Sequence, residues 1–210
     1  MANPNKPTGF SPVRYLNGAN WTGQANLYSI AASYATALYI GDPVISSGTS
    51  DSNGVQGIAI GATTGALRGV IVGLGTSNST SAGESVMANV NNLNITYRPA
   101  SDPNVWYAMV VDDPMVVFEI QEHYAAGNTT LTAAECGLNQ IGYSGTAGNG
   151  YVSGWQLANT SDATANTTAT LQLRLLGLSR RSDNAFGAYA KWLVKINVHE
   201  LGGGTGASGV

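Results

Sequence analysis

An all-β fold is what this sequence predicts, and three observations carry the prediction. Only 10% of the residues are charged, against about 25% in ordinary domains, and Lys, Glu and Arg, the usual fillers of exposed helix faces, are scarce. Glycine is abundant, at 27 residues, and recurs with Pro, Asn, Asp and Ser as punctuation between short apolar runs. The clearest of those runs alternate with the period of two that a strand requires. The expectation is of small antiparallel β-barrel or sandwich units, an extended N-terminal arm and long Gly/Ser/Asn-rich loops.

Residues 1–34 predict the arm. Pro4, Pro7, Pro12 and several Asn and Gly leave only isolated large apolar groups there, among them Phe10, Val13, Tyr15, Leu16, Trp21 and Leu27. Such a segment cannot bury enough surface to fold by itself, so its aromatic residues read as anchors that dock elsewhere: on this chain, on a neighbouring subunit or on another protein. Residues 35–98 predict a first β unit, with strands at Leu38 and Ile40, Val44, Ile58 and Ile60, Leu67, and Val70 to Leu74. A loop from Thr76 to Ser85 follows, and one or two strands from Val86 to Tyr97 end at Arg98-Pro99, where proline forces extension. The glycines from Gly61 to Gly75 are followed by a polar turn-forming run with no helical period, so they do not make a dinucleotide fingerprint.

A second β unit is expected over 99–200. VWYAMVV from Val105 to Val111 is a strand, and Asp112-Asp113-Pro114 a turn. Residues 125–168 read as strands between long exposed loops. LQLRLLGL from Leu171 to Leu178 and WLVKINVH from Trp192 to His199 are the clearest strands. The intervening SRRSDNAFGAYAK reads as turns and no helix. Residues 201–210 are expected to be a flexible Gly-rich tail.

The stretch MVVDDPMVVFEIQEHY, Met109 to Tyr124, holds four carboxylates and one of the two histidines. Period two puts Val116, Phe118 and Ile120 on one face and Val117, Glu119, Gln121 and His123 on the other, in steps of about 7 Å, with Glu122 turned opposite. The carboxylates therefore diverge, whereas a retaining glycosidase needs two about 5 Å apart. A zinc site needs three converging ligands, and only His123, Glu119 and the distant His199 offer themselves. Neither Ser144 nor Ser153 sits in a Gly-x-Ser-x-Gly elbow. No enzyme, cofactor or metal is expected.

Net charge is −3 and the nine basic residues are scattered along the chain, with Arg180-Arg181 the only adjacent pair, so no nucleic-acid partner is expected. No signal-peptide pattern and no long apolar span point to export or a membrane. Cys136 stands alone and is expected as a buried small hydrophobe made in a reducing cytosol. The Asn-x-Ser/Thr pattern, which occurs at six asparagines from Asn20 to Asn166, follows from a composition rich in those residues.

Three stretches carry a resemblance. NPNKPTGFSPVRYLNGANWTGQ with the downstream ALYIGDPV, the central WYAMVVDDPMVVFEIQEH, and LLGLSRRSDNAFGAYAKWLVKINVHE are together similar to a group of tailed-bacteriophage virion proteins, the capsid decoration or cement proteins. The resemblance covers most of the chain, is one of overall pattern and includes no catalytic signature. It implies a β-rich accessory protein, made in the bacterial host cytoplasm, that binds the outer surface of the assembled head and stabilises it. The implied partners are the major capsid protein and further copies of the chain, as a homotrimer. With that role, Phe10, Tyr15 and Trp21 are expected as aromatic anchors on the capsid and Lys6 and Arg14 as contacts to its carboxylates or carbonyls, since aromatics and Arg dominate interface energies. The alternative is a head-fibre base or a glycan- or receptor-binding module, with Tyr143, Tyr151 and Trp155 stacking on sugars.

Overall fold

The computed structural model describes residues 3–76, 94–145 and 150–210. It is built from strands: β1 (Ser11–Tyr15), β2 (Asn26–Ile30), β3 (Leu38–Tyr39), β4 (Pro43–Ser50), β5 (Gln56–Ile60), β6 (Gly69–Thr76), β7 (Tyr97–Arg98), β8 (Trp106–Val111), β9 (Val116–Gln121), β10 (Asn139–Gln140), β11 (Gly142–Ser144), β12 (Trp155–Leu157), β13 (Leu173–Leu178) and β14 (Lys191–Ile196). Two single 3-10 turns, Ala133–Glu135 and Glu200–Gly202, are the helical pieces among the described residues, and no helix there is long and apolar enough to cross a membrane. The loop expected from Thr76 to Ser85, apart from Thr76 in β6, and residues 86–93 of the strand region expected from Val86 to Tyr97 lie outside the described residues.

Ten of these strands form two layers, and β3-β7 and β11-β12 are two-stranded ribbons beside them. One layer is a closed barrel in the order β2-β5-β4-β6-β8, antiparallel except where β2 meets β5 at Ser29 and Gly57. Closure removes the free edges that an open sheet of this size would present. Every second residue of the strands fills the interior: Ile30, Val44, Ile58, Ile71, Trp106, Ala108 and Val110 are buried together. The other layer is a five-stranded sheet, β1-β9-β14-β13-β10. Its inner face carries Phe118, Ile120, Leu173, Leu175, Trp192, Val194 and Ile196, which pack with Val70 and Val111 from the outside of the barrel. The period-two reading of WLVKINVH holds as far as Ile196, with Trp192, Val194 and Ile196 buried and Leu193 and Lys195 half-buried on the outer face; β14 ends there, and Asn197, Val198 and His199 are all buried.

Polar groups fix the layers to one another. Gln172 Nε2 donates to the carbonyls of Ala62 and Gly65. Glu200 accepts from the Ser46 amide and meets Arg68 Nε at 3.2 Å. Leu67 and His199 form a parallel bridge between the layers.

The expected boundaries at 34, 98 and 200 do not coincide with these layers. β1 leaves the N-terminal segment to become the edge of the five-stranded sheet, antiparallel to β9, while β2 closes the barrel against β8. The arm is therefore part of the fold, because β9 and β8 supply the ladder partners and apolar cover that residues 11–30 lack by themselves. The chain passes from the barrel to the sheet at the Asp112-Asp113-Pro114 turn, and Arg98 sits inside. Its guanidinium, fully buried, donates to the carbonyls of Ala31, Tyr34, Pro99 and Asp102.

The Gly-rich tail is also held, contrary to expectation. Ala207 O accepts from Asn139 Nδ2 and Arg174 Nη2, Ala207 N donates to Asn197, and the amides of Gly209 and Val210 donate to Thr167 and Gly137. Small residues let it lie close: a Cβ on Gly206 would collide with Ala169 O. Cys136 is exposed, not buried. The expectation followed the usual burial of free cysteine, but this one closes a surface 3-10 turn.

Candidate functional site

The five residues expected to grip a capsid go to three places. Phe10 is 2% exposed and meets Phe118 edge-on at 6.0 Å, which makes it a core residue of this chain and removes it as an external anchor. Tyr15 packs half-buried against the same core, its hydroxyl on Gln24. Trp21 is half-buried and donates to Gln24 O. Arg14 lies on the outer face of the five-stranded sheet, and the exposed Lys6 is held by its amide on Gln121 Oε1.

Phe10 and Trp21 nevertheless meet at one feature, a groove of about 390 Å³ between the N-terminal segment, the barrel and the chain at 151–152. Thr8, Phe10, Trp21, Ile40, Val72 and Tyr151 line it. Its floor is pinned by close backbone approach. Gly9 and Gly41 both have positive φ, 69° and 94°, and a Cβ on Gly9 would collide with Gly41 O and Ser153 Oγ. Glycine is the residue that meets both demands. The Phe10 amide donates to Gly41 O at 2.9 Å. Beside it, buried Ser153 Oγ donates to Asp42 Oδ1 at 2.6 Å and the Tyr39 amide to Asp42 Oδ2 at 2.8 Å. Burial pushes the Asp42 carboxyl up to about 6 against the pull of those two bonds.

Tyr151 is the tyrosine that lines the groove, and two more rings stand behind it. Tyr39 and Tyr97 stack at 5.5 Å across the short β3–β7 ribbon, and Tyr97 meets Tyr151 edge-on at 5.1 Å. Tyr151 is 55% exposed. No protein-family model, curated protein or solved structure matches the chain. What the groove can do therefore follows from its shape and chemistry: a largely apolar trough lined by Phe10, Trp21 and Tyr151 suits an apolar side chain or a short loop of another protein.

The charged stretch at 109–124 is resolved residue by residue. Asp112 accepts from Asn26 and from Tyr28 Oη at 2.6 Å, and burial with that bond raises Tyr28 to about 12. Asp113 caps the Met115 amide. Glu119 stands on the outer sheet face among Ser179, Arg181 and Lys191. Glu122 points inward, fully buried, and accepts from the Leu131 amide at 2.7 Å and Trp192 Nε1 at 3.0 Å. Burial raises its carboxyl to about 7, against both bonds. The divergence expected from strand alternation is what the geometry shows, though Val117 and Gln121 on the outer face are also buried.

His123 turns outward, stacked on Tyr143 at 3.7 Å with Nδ1 2.7 Å from Asp162 Oδ2. His199 is buried, its Nδ1 accepting from the Leu201 amide, and burial lowers it to about 4. Among the described residues, no group of three or more His, Cys, Asp or Glu is placed to hold a metal. Trp155, expected as a sugar-stacking residue, is 4% exposed in the core, because its strand packs against the inner face of the sheet.

Sequence reading missed the groove as a site. Tyr39, Tyr97 and Tyr151 are far apart in the chain and no local pattern links them. Gly9-Phe10 and Gly41-Asp42 are the one local signal, since a glycine beside a buried residue often marks close backbone approach.

Proposed function

We propose that this chain is a capsid decoration protein of a tailed bacteriophage, bound to the outer surface of the assembled head and stabilising it through many non-covalent contacts. The groove lined by Phe10, Trp21 and Tyr151 carries the reading. It is a preformed, apolar recess on a protein whose surface is poor in charge, which suits attachment to a finished protein lattice without ordering costs at the moment of binding. The resemblance of the three stretches to decoration proteins supports the same conclusion. The partners proposed are the major capsid protein and two further copies of the chain, with trimeric display multiplying weak single contacts.

The test is occupancy. Heads lacking the protein are mixed with wild-type chain or with Trp21→Ala and Tyr151→Ala together, separated by sedimentation, and the bound protein is measured. Loss of aromatic contacts at an interface centre should weaken binding at least about tenfold, and Tyr151→Ala alone, which leaves Trp21 packed against the core, should weaken it in part while the melting temperature stays near wild type. Undiminished occupancy would remove the groove from the mechanism. A glycan array with the same protein addresses the alternative of a sugar-binding virion module, to which Tyr151 still offers an exposed ring.

A further inference from the structure

The nine basic residues are dispersed in sequence, but the fold gathers them. Arg98 and Arg68 are buried. Of the remainder, Arg14, Arg174, Arg180, Arg181, Lys191 and Lys195 lie on or beside the outer face of the five-stranded sheet. The register places three of them in one cross-strand row: Arg174 on β13 faces Lys195 on β14, Lys195 faces Val117 on β9, and Val117 faces Arg14 on β1. Arg181 and Lys191 share Glu119. Among the described residues, Arg14, Arg174, Arg180 and Lys195 have no carboxylate within ion-pair distance.

Within that row Arg174 is held by Asn139 Oδ1 and the carbonyls of Ala207 and Ser208, whereas Lys195 gains nothing from facing it. Like charges directly opposite on neighbouring strands repel, and Lys195 is in addition half-buried beside Arg174 with no counter-ion. Natural proteins keep such local conflicts where function requires them. Next to the row, a surface depression of about 680 Å³ is lined by Arg14, Cys136, Leu176, Arg180, Phe186 and Leu193. Cations set among half-buried leucines and the exposed Phe186 suit a protein surface that presents carboxylates beside apolar side chains. A polynucleotide would call for a polar, stacking trough.

We infer that the outer face of the five-stranded sheet is a docking surface for an acidic protein segment, with Arg14 and Lys195 as its paired carboxylate contacts. It is separate from the aromatic groove, and electrostatic attraction there speeds and orients encounter.

The probe is a fluorescein-labelled peptide of Asp and Glu interspersed with Leu, Gly and Ser, followed by anisotropy with purified full-length protein. Binding should weaken as salt rises. The double variant Arg14→Gln with Lys195→Gln should bind at least about tenfold less tightly and melt no lower than wild type, since a repulsive pair has been relieved. The charge-keeping pair Arg14→Lys with Lys195→Arg should stay within about threefold of wild type, which separates charge from any folding defect. Equal affinity of wild type and the Gln variant overturns the inference. So does tighter binding of a 20-base-pair duplex or of phosphatidylserine vesicles than of the peptide. Heads take no part in this measurement, so its failure leaves the groove reading standing.

Discussion

Glu122 shows at the residue scale how much the interior tolerates once donors are supplied. Its folded value of about 7 lies above the ordinary 4.5, so its contribution to stability is complete below 4.5 and is lost as pH rises through 7. Asp42 behaves alike, from 3.8 up to about 6. His199 runs the other way: its contribution is complete above 6.5 and is lost as pH falls through about 4. Between pH 6.5 and 8 the decline thus belongs mainly to Glu122. We expect wild-type stability to fall by about 1 kcal/mol from pH 6 to pH 8 on its account. In Glu122→Gln the decline over that interval should be shallower, measured by thermal melts across pH; an unchanged slope would assign the titration elsewhere. Arg98 poses the complementary case. Replacing its planar fork with one ammonium in Arg98→Lys leaves buried carbonyls without donors and should cost about 2 kcal/mol in urea unfolding.

At the scale of elements, β1 is the instructive one. Its inner side pairs with β9, and its outer edge is covered by the chain's own return: Tyr15 N donates to Ala19 O and Trp21 N to Val13 O. An edge strand blunted in this way resists unplanned pairing with other sheets. Removing residues 1–22 would strip that strand and Phe10 from the core, so a decoration assay on the truncated chain would report folding and not attachment. Phe10→Ala alone should lower stability by about 3–5 kcal/mol, checked by chemical denaturation. Little loss would mean that the N-terminal segment is not packed as described. β13 and β14 were legible in the sequence because both lie in a sheet with one buried face, where alternation runs unbroken along β14 and along β13 as far as the irregularity between Leu175 and Gly177. β1 and β2 were not, since each borrows its cover from a strand about a hundred residues distant and shows no period of its own.

Across the whole molecule, the two layers are joined by apolar contact of Val70 and Val111 with the inner sheet face and by a few polar groups, among them Glu200. It touches β4 through the Ser46 amide and Arg68 beside β6, from a turn that follows β14. Glu200→Ala should lower the unfolding midpoint by an equivalent of about 1–3 kcal/mol, because Arg68 is left buried without its counter-ion. Spectroscopic probes in the barrel and in the sheet should also separate if this contact couples the layers; coincident transitions at the wild-type midpoint would show that apolar packing suffices. The molecule is polarised as well, with an aromatic groove at the junction of the layers and a cationic sheet face, on a chain of net charge −3.

By itself the sequence determined the class of fold, the strands with a strict period of two, the turn at Asp112-Asp113-Pro114 and the divergence of the carboxylates around it. Each of these depends on residues within one turn or strand, where side-chain direction follows from backbone geometry. Only the tertiary structure decided that the N-terminal segment is two strands in two different layers, that the tail is tied down, and that the rings of Tyr39, Tyr97 and Tyr151 meet in series. It also decided that dispersed cations share a face. The reason is that strand pairing is non-local: hydrogen-bond partners and apolar cover come from distant parts of the chain, and nothing in a local window names the partner.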